Sequence, residues 1–434
     1  MKKLLFAGAC SLTAMSTFAM DSTEQRILLL EQQLNALKTE LQQQKQAQTE
    51  LQHSQVAVQH DLHTQQQQLE AQQNSTKKLI DLGDNVDVYG VLRFDGAVDF
   101  KSSPNGRGRT INQINRAPFD EPDSTRSDFT AAATRIGINI KDLAGNPNVK
   151  AKIEADFWSN GGRGDGNFRI RHAYLNAYNW TFGQTTSLMS NIEVATDAVD
   201  YSLLLGNAVV RHPQVQYGWK LNPENSVNVA LEYMGGGDRS SALPALTAKY
   251  SYKNGPAHII ANGFVNEKQA QGATEDIEDI GWGVGLGGRY RFDSQNSIQA
   301  QYYHMVGDQR IVSFLTQGAT SDGEAWGGDF SVDPLKKELL LNRFDSLTLG
   351  YSHIFSPQWR ANIAASVVNF DDDSDFAKAN PESNKRLSDY VINGIYSPWK
   401  NVDLGAEYHH GKRETFDGRE ADVSRINMTA KYSF

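Results

Sequence analysis

The sequence has a single cysteine, Cys10, among 434 residues. A disulfide framework needs at least two, so no intrachain disulfide can staple the fold. Proline is scarce at 12 residues, and no run of about 18 apolar residues occurs beyond the N-terminal stretch. That second absence excludes a membrane-spanning helix. Positive charge is short as well. The formal net charge of −9 argues against nucleic acid as a partner, because nucleic-acid binders carry a basic footprint. Catalytic residues, a cofactor site and a metal site are not expected either. His304 and His353 point outward by parity, where a membrane lipase would hold its base, but no nucleophile motif surrounds them.

Other features are plentiful. Aromatic residues make up 10% of the chain and glycine contributes 36 residues, a mixture suited to strands and turns and unlike a disordered chain. At the start, Lys2 and Lys3 precede an apolar stretch from Leu4 to Ala14 and a small-x-small triplet, Thr17-Phe18-Ala19. This is the pattern of an export signal over 1–19, cut after Ala19. Cleavage removes Cys10 and leaves a thiol-free protein, at no risk of wrong disulfides in the oxidising periplasm.

Residues 27–79 carry a heptad repeat. With Ile27 as a, that series includes Leu34, Leu41, Leu62 and Leu69, while d includes Leu30, Leu37, Leu51, Val58 and Leu79. Unbroken heptads predict an α-helical coiled coil over 20–83, roughly 80 Å long at about 1.5 Å per residue. Gly83 ends it. His53, His60 and His63 take f and b positions on its solvated face, and a glutamine-rich spacer is the plain alternative.

From Asn85 the period becomes two. Val86, Val88, Leu92, Phe94, Val98 and Phe100 share one face, opposed by Asp87, Arg93, Asp95 and Asp99. The same alternation returns at 149–157, 280–292, 359–367 and 425–434. Connections alternate too. Seven are short and turn-like, such as 142–148 and 221–225. Eight are long and polar: 101–129, 158–166, 188–208, 235–241, 267–278, 307–342, 371–385 and 411–422. The segregation predicts an all-β transmembrane barrel over 84–434 with about 16 antiparallel strands, short periplasmic turns and long external loops. Trp180, Trp359 and Trp399 near the short turns suit an interfacial girdle. A parity change in 167–177 predicts a bulge near His172.

A barrel of this width needs something to narrow it. The connection 188–208 is unusually apolar, with Leu188, Met189, Ile192, Val194, Val199, Tyr201, Leu203, Leu204 and Leu205, and is expected to fold inward as a constriction. It also carries Glu193, Asp197 and Asp200. Opposite them, Arg93, Arg135, Arg169 and Arg171 have lumenal parity and Arg211 follows the loop. Opposed rows of charge would set a transverse field favouring anionic or dipolar solutes. The alternative is that these arginines only pair with wall carboxylates such as Asp95 and Glu154.

The stretch Asn167-Phe168-Arg169-Ile170-Arg171-His172-Ala173-Tyr174, then Gly183-Gln184-Thr185 and Ser187, resembles the DcaP-like porins, as do Thr134-Arg135-Ile136-Gly137 and Arg211-His212-Pro213-Gln214-Val215. The resemblance covers most of the first half of the barrel and the N-terminal coiled coil. It implies a homotrimeric outer-membrane channel for dicarboxylates and other small organic anions, with a three-stranded periplasmic rod. Thr186 and Gln216 depart from the family pattern, which has tryptophan and arginine there. The final strand, ending in Phe434, resembles the signal read by the barrel-assembly machinery. Outer-membrane lipid and lipopolysaccharide are the remaining expected partners.

Two rival readings belong to other classes. A sugar porin would guide its solute along stacked aromatics, for which Tyr89, Trp158, Phe264 and Tyr303 have lumenal parity. A structural tether would use the barrel only as an anchor. Three smaller signals carry little: Arg163-Gly164-Asp165 resembles an adhesion tripeptide, Asp371, Asp372, Asp373 and Asp375 form an acidic tip, and His409 and His410 face opposite ways on a strand.

Overall fold

A computed structural model describes Lys38, Gly83 and the chain from Asn85 to Phe434, except 102–113, 115–116, 120–124, 160–166, 208, 235–242, 271–275, 310, 313–327 and 334. The export signal, Cys10, the coiled coil and Arg163-Gly164-Asp165 therefore lie outside the described residues, Lys38 and Gly83 apart. No described helix is long and apolar enough to cross a membrane.

Strands with alternating faces leave unpaired edges unless the sheet closes. Here it closes. The first strand, Val86–Lys101, pairs antiparallel with the last, Glu420–Ser433, and every intervening wall strand pairs with its chain neighbours. The second wall strand is broken in two, Arg126–Thr130 and Arg135–Ile140, both held against the first. Counted as one, it gives sixteen wall strands. Closure satisfies the backbone groups that lipid could not. The C-terminus joins in, since Phe434 and Gly90 exchange two 3.0 Å backbone hydrogen bonds.

The outer face carries Leu92, Phe94, Ile153, Ile170, Leu286, Leu349 and Ile363, each more than half exposed. In water that surface would be costly, at about 25 cal/mol per Å²; in lipid it is matched. Near the short turns the face turns aromatic. Trp180 meets Tyr217, Tyr217 meets Trp219 and Trp359 stacks on Tyr396, with ring centroids 4.7, 4.5 and 4.4 Å apart. These rings sit where an interfacial belt belongs.

Two of the connections read as long loops are strand over half or more of their length. Ala257–Ala270 and Ile277–Arg291 take up half of 267–278, and Val402–Thr415 with Glu420–Ser433 leave only 416–419 of 411–422 as a turn. Their polar residues stay in the ladder because the strands outrun the apolar band. The connection 307–342 carries a hairpin, Phe330–Asp333 with Glu338–Leu341. The acidic tip leads into a short helix, Asp375–Ala379, capped by Ser374. Its charges are in use, as Asp372 pairs with Lys385 and Asp375 with Lys378.

The bulge falls at Arg171. Glu154 is opposite His172 and Ala155 opposite Ile170, so Arg171 has no cross-strand partner.

Candidate functional site

The segment from Leu188 to Asn207 lies against the inner wall. Its root is held by Glu232, which accepts from the Leu188 backbone N–H at 2.8 Å and also bonds Thr247 and His212. Further on, Asn262 donates to the Leu188 carbonyl, Tyr303 to Met189, Lys249 to Ser190 and Arg289 to Ala195. Glu407, from a strand more than 200 residues away, accepts from the N–H groups of both Val199 and Asp200, at 2.9 and 2.7 Å. His409 and Asn393 brace that carboxylate at 2.9 and 2.8 Å, and His409 reaches Asp389 on its other side. Thr348 and Gln301 hold the return at Leu205 and Asn207. Backbone groups buried this deeply need such partners.

Small residues admit the close approach. A Cβ on Gly287 would strike Val194 and Asn191, and one on Gly350 would overlap Thr196. Leu188, Met189, Val194, Val199, Leu204 and Leu205 are buried, while Ile192 is exposed. Met189 and Leu205 join an apolar core with Phe264, Tyr303, Met305, Phe344, Val368 and Leu387 from the wall, and with Ile114, Ala117, Ile311 and Val312 from the long connections.

The five arginines gather on the opposite stretch of wall. Arg93 grips Asp95 with 2.8 Å contacts and donates to the Val199 carbonyl at 2.6 Å. Arg169 binds Asp156 bidentately at 2.9 and 2.7 Å. Arg171 bridges Glu154 at 2.6 Å and Asp156 at 3.0 Å. So three of the five do pair with wall carboxylates. Arg135 and Arg211 do not: among the described residues no ion pair or hydrogen bond reaches either guanidinium, and the Nε of each is buried without a partner. Five arginines against three carboxylates leave this patch with an excess of two positive charges, to which Lys152 adds an amine above the Tyr89 ring.

The loop's acids are placed differently from the expectation. Glu193 pairs with Lys249 at 2.6 Å and Asp197 with Arg360 at 2.8 Å, so both are neutralised by the far wall although each stays nearly half exposed. Asp200 does not line open water. It is 3% exposed, and its carboxylate takes up Ser202 and Asn427. Burial, the dominant influence, pushes that carboxyl up from its ordinary range. It is a brace for the loop, and the expected facing row of free acids is absent among the described residues.

Tyr201 was legible only as one apolar residue of the loop. In the structure its hydroxyl joins Asp156 and Arg171, both at 2.5 Å, its ring lies on Trp158 with centroids 4.5 Å apart, and Arg93 lies 5.3 Å from the ring. Glu232, Lys249, Arg360 and Glu407 also went unread. Their inward parity was visible, but their partners are on distant strands.

Three of the four aromatics of a sugar slide are buried, and the half-buried fourth, Tyr89, stands alone. Tyr303 is fully buried, Phe264 is 4% and Trp158 9% exposed, and Tyr89 donates to Glu154. The outward histidines are also engaged, His304 with Asp345 and His353 with Asn296. On the short-turn side of the loop a cavity of about 730 Å³ opens, lined by polar side chains from the fourth to the ninth wall strands and bounded by Leu188 and Glu193 of the loop.

The family model described as DcaP outer membrane protein matches residues 21–434. Among solved structures, the outer membrane channel DcaP of Acinetobacter baumannii is similar at 32% identity and TM-score 0.70, covering 80% of this chain and 97% of that one. OmpF of Salmonella typhi (10% identity, TM-score 0.53, 81% and 98% covered) and OprB of Pseudomonas putida (10%, 0.52, 81% and 94%) share the fold. No curated protein sequence matches the chain.

Proposed function

The chain belongs to the DcaP outer membrane protein family, and on that premise we propose that it passes small organic anions, dicarboxylates among them, passively across the outer membrane. One observation carries the reading: two guanidiniums, Arg135 and Arg211, stand without carboxylate partners among the described residues on the wall that the inward loop faces. Arginine offers carboxylate a planar, two-pronged donor, and an uncompensated positive patch in a narrow aqueous passage raises the local anion concentration. Loop 188–208 is then the constriction. The polar residues Arg93, Arg169 and Arg171, with Glu193 and Asp197, shape its margin.

Planar-bilayer recording tests this. In a salt gradient the reversal potential should lie toward that of the anion, and succinate should block at lower concentration than maltose. A cation-preferring pore would overturn the proposal.

The assembly belongs to the same reading: a homotrimer in a lipopolysaccharide-bearing membrane, inserted by the barrel-assembly machinery, with 20–83 as a periplasmic coiled coil. Deleting 20–82 should leave single-pore conductance within about a tenth of the full chain's, since the described wall strands close on one another. Loss of conductance with the barrel still folded would favour the tether.

A further inference from the structure

Resting on the anion-channel reading, we infer that the short-turn vestibule is a second binding station, which holds the hydroxylated body of an organic acid whose carboxylate is met by Arg211. The pore's preferred solutes are then polyhydroxylated acids of the aldaric and uronic kind.

The vestibule wall carries Lys220, Lys249, Lys253, Glu193 and Glu224, and between these charges a set of neutral amides and hydroxyls. Asn176, Thr185, Gln216, Asn228 and Ser251 all line it. Two of them form a matched pair: Gln216 Nε2 donates to Asn228 Oδ1 at 3.1 Å. That bond uses one donor and one acceptor. It leaves the Gln216 Oε1 acceptor and the Asn228 Nδ2 donor for other partners, groups of the kind that a hydroxyl can satisfy. Gly218 lies directly across from Asn228, and a Cβ there would come within 2.6 Å of Asn228 Oδ1, so the missing side chain makes room for the pair.

Arg211 itself does not line the cavity, but its neighbours do. Thr186, which lines the cavity, is the cross-strand partner of Arg211. The neighbouring Thr185 bonds His172 at 3.0 Å, and His172 lies within electrostatic reach of Arg211. An acid seated on Arg211 therefore presents the rest of its carbon chain to hydroxyls and amides. A bare hydrocarbon chain gives those groups nothing to bond and displaces their water. A chain bearing hydroxyls replaces that water with direct bonds.

Galactarate and adipate make the test, being six-carbon dicarboxylates of equal charge that differ only in four hydroxyls. Galactarate should block the current of the full-length channel at about fivefold lower concentration than adipate, the return expected from one or two net hydrogen bonds. Replacing both Gln216→Leu and Asn228→Leu should remove that preference, with adipate block in the same pore as the internal reference. Gly218→Ala, which pushes Asn228 aside, should reduce it if the double variant fails to fold. Equal block of the unaltered channel by the two acids, or a preference that survives the substitutions, overturns the vestibule site while leaving the anion channel standing. Block by neither acid overturns both.

Discussion

Replacing Arg135 and Arg211 together with glutamine should lower the anion-over-cation permeability ratio about tenfold, equivalent to about 1.4 kcal/mol. Both guanidiniums lack carboxylate partners among the described residues, so their charge acts on solute and is not cancelled locally. Two unit charges a few ångströms from a passing ion each contribute on the order of 1 kcal/mol in water and more where the walls exclude it. Either single variant should give about half of that shift on the energy scale. The reversal potential in a salt gradient reads the change directly. Salt supplies a control, because screening over about 10 Å at 0.1 M shrinks the difference between variant and parent as ionic strength rises. Arg169→Gln is a different experiment, since it removes one of the two guanidiniums that hold the buried Asp156 carboxylate. An unchanged ratio in the double variant would remove the basis of the proposed selectivity.

Glu407→Ala should free the inward loop and raise single-pore conductance about twofold or more, with added current noise. Removing one partner of a buried charged network costs about 3–5 kcal/mol, and here the loss falls on the loop. The N–H groups of Val199 and Asp200 lose their acceptor, and His409 loses one of its two carboxylates. The barrel itself is spared, because the wall's ladder beside Glu407 runs through backbone pairs with Asn393 and Asn427. Glu407→Gln keeps one acceptor oxygen and should fall between. Heat-modifiable migration in detergent separates loop release from unfolding. A conductance equal to the parent's, with the barrel folded, would mean that the loop does not limit flow.

Much of this was visible in the chain before folding. Alternation such as Leu92, Phe94 against Arg93, Asp95 is a property of neighbours, and period two has only one reading when both faces are so distinct. The bulge near His172 was legible for the same reason, as a change of parity within eleven residues. Loop lengths were less legible. The stretch 411–422 is polar because its strands stand clear of lipid, and polarity alone does not separate a loop from a protruding strand.

The site divides along another line. That arginines crowd the early strands, and that 188–208 is too apolar for water, follows from composition and position. Which arginines are free does not. Arg93, Arg169 and Arg171 are neutralised by Asp95, Glu154 and Asp156, while Arg135 and Arg211 are not, and nothing in the local sequence separates the two groups. Charge pairing depends on distances across the ladder and on the bulge that leaves Arg171 without a cross-strand partner. Asp200 became a buried brace for the same kind of reason: its partner Asn427 is 227 residues away. Local alternation determined wall, lipid face and strand number by itself. The free charges, the neutralised acids and the seat of the loop were decided by closure of the cylinder, because only closure brings the first strands, the loop and the last strands within hydrogen-bond reach.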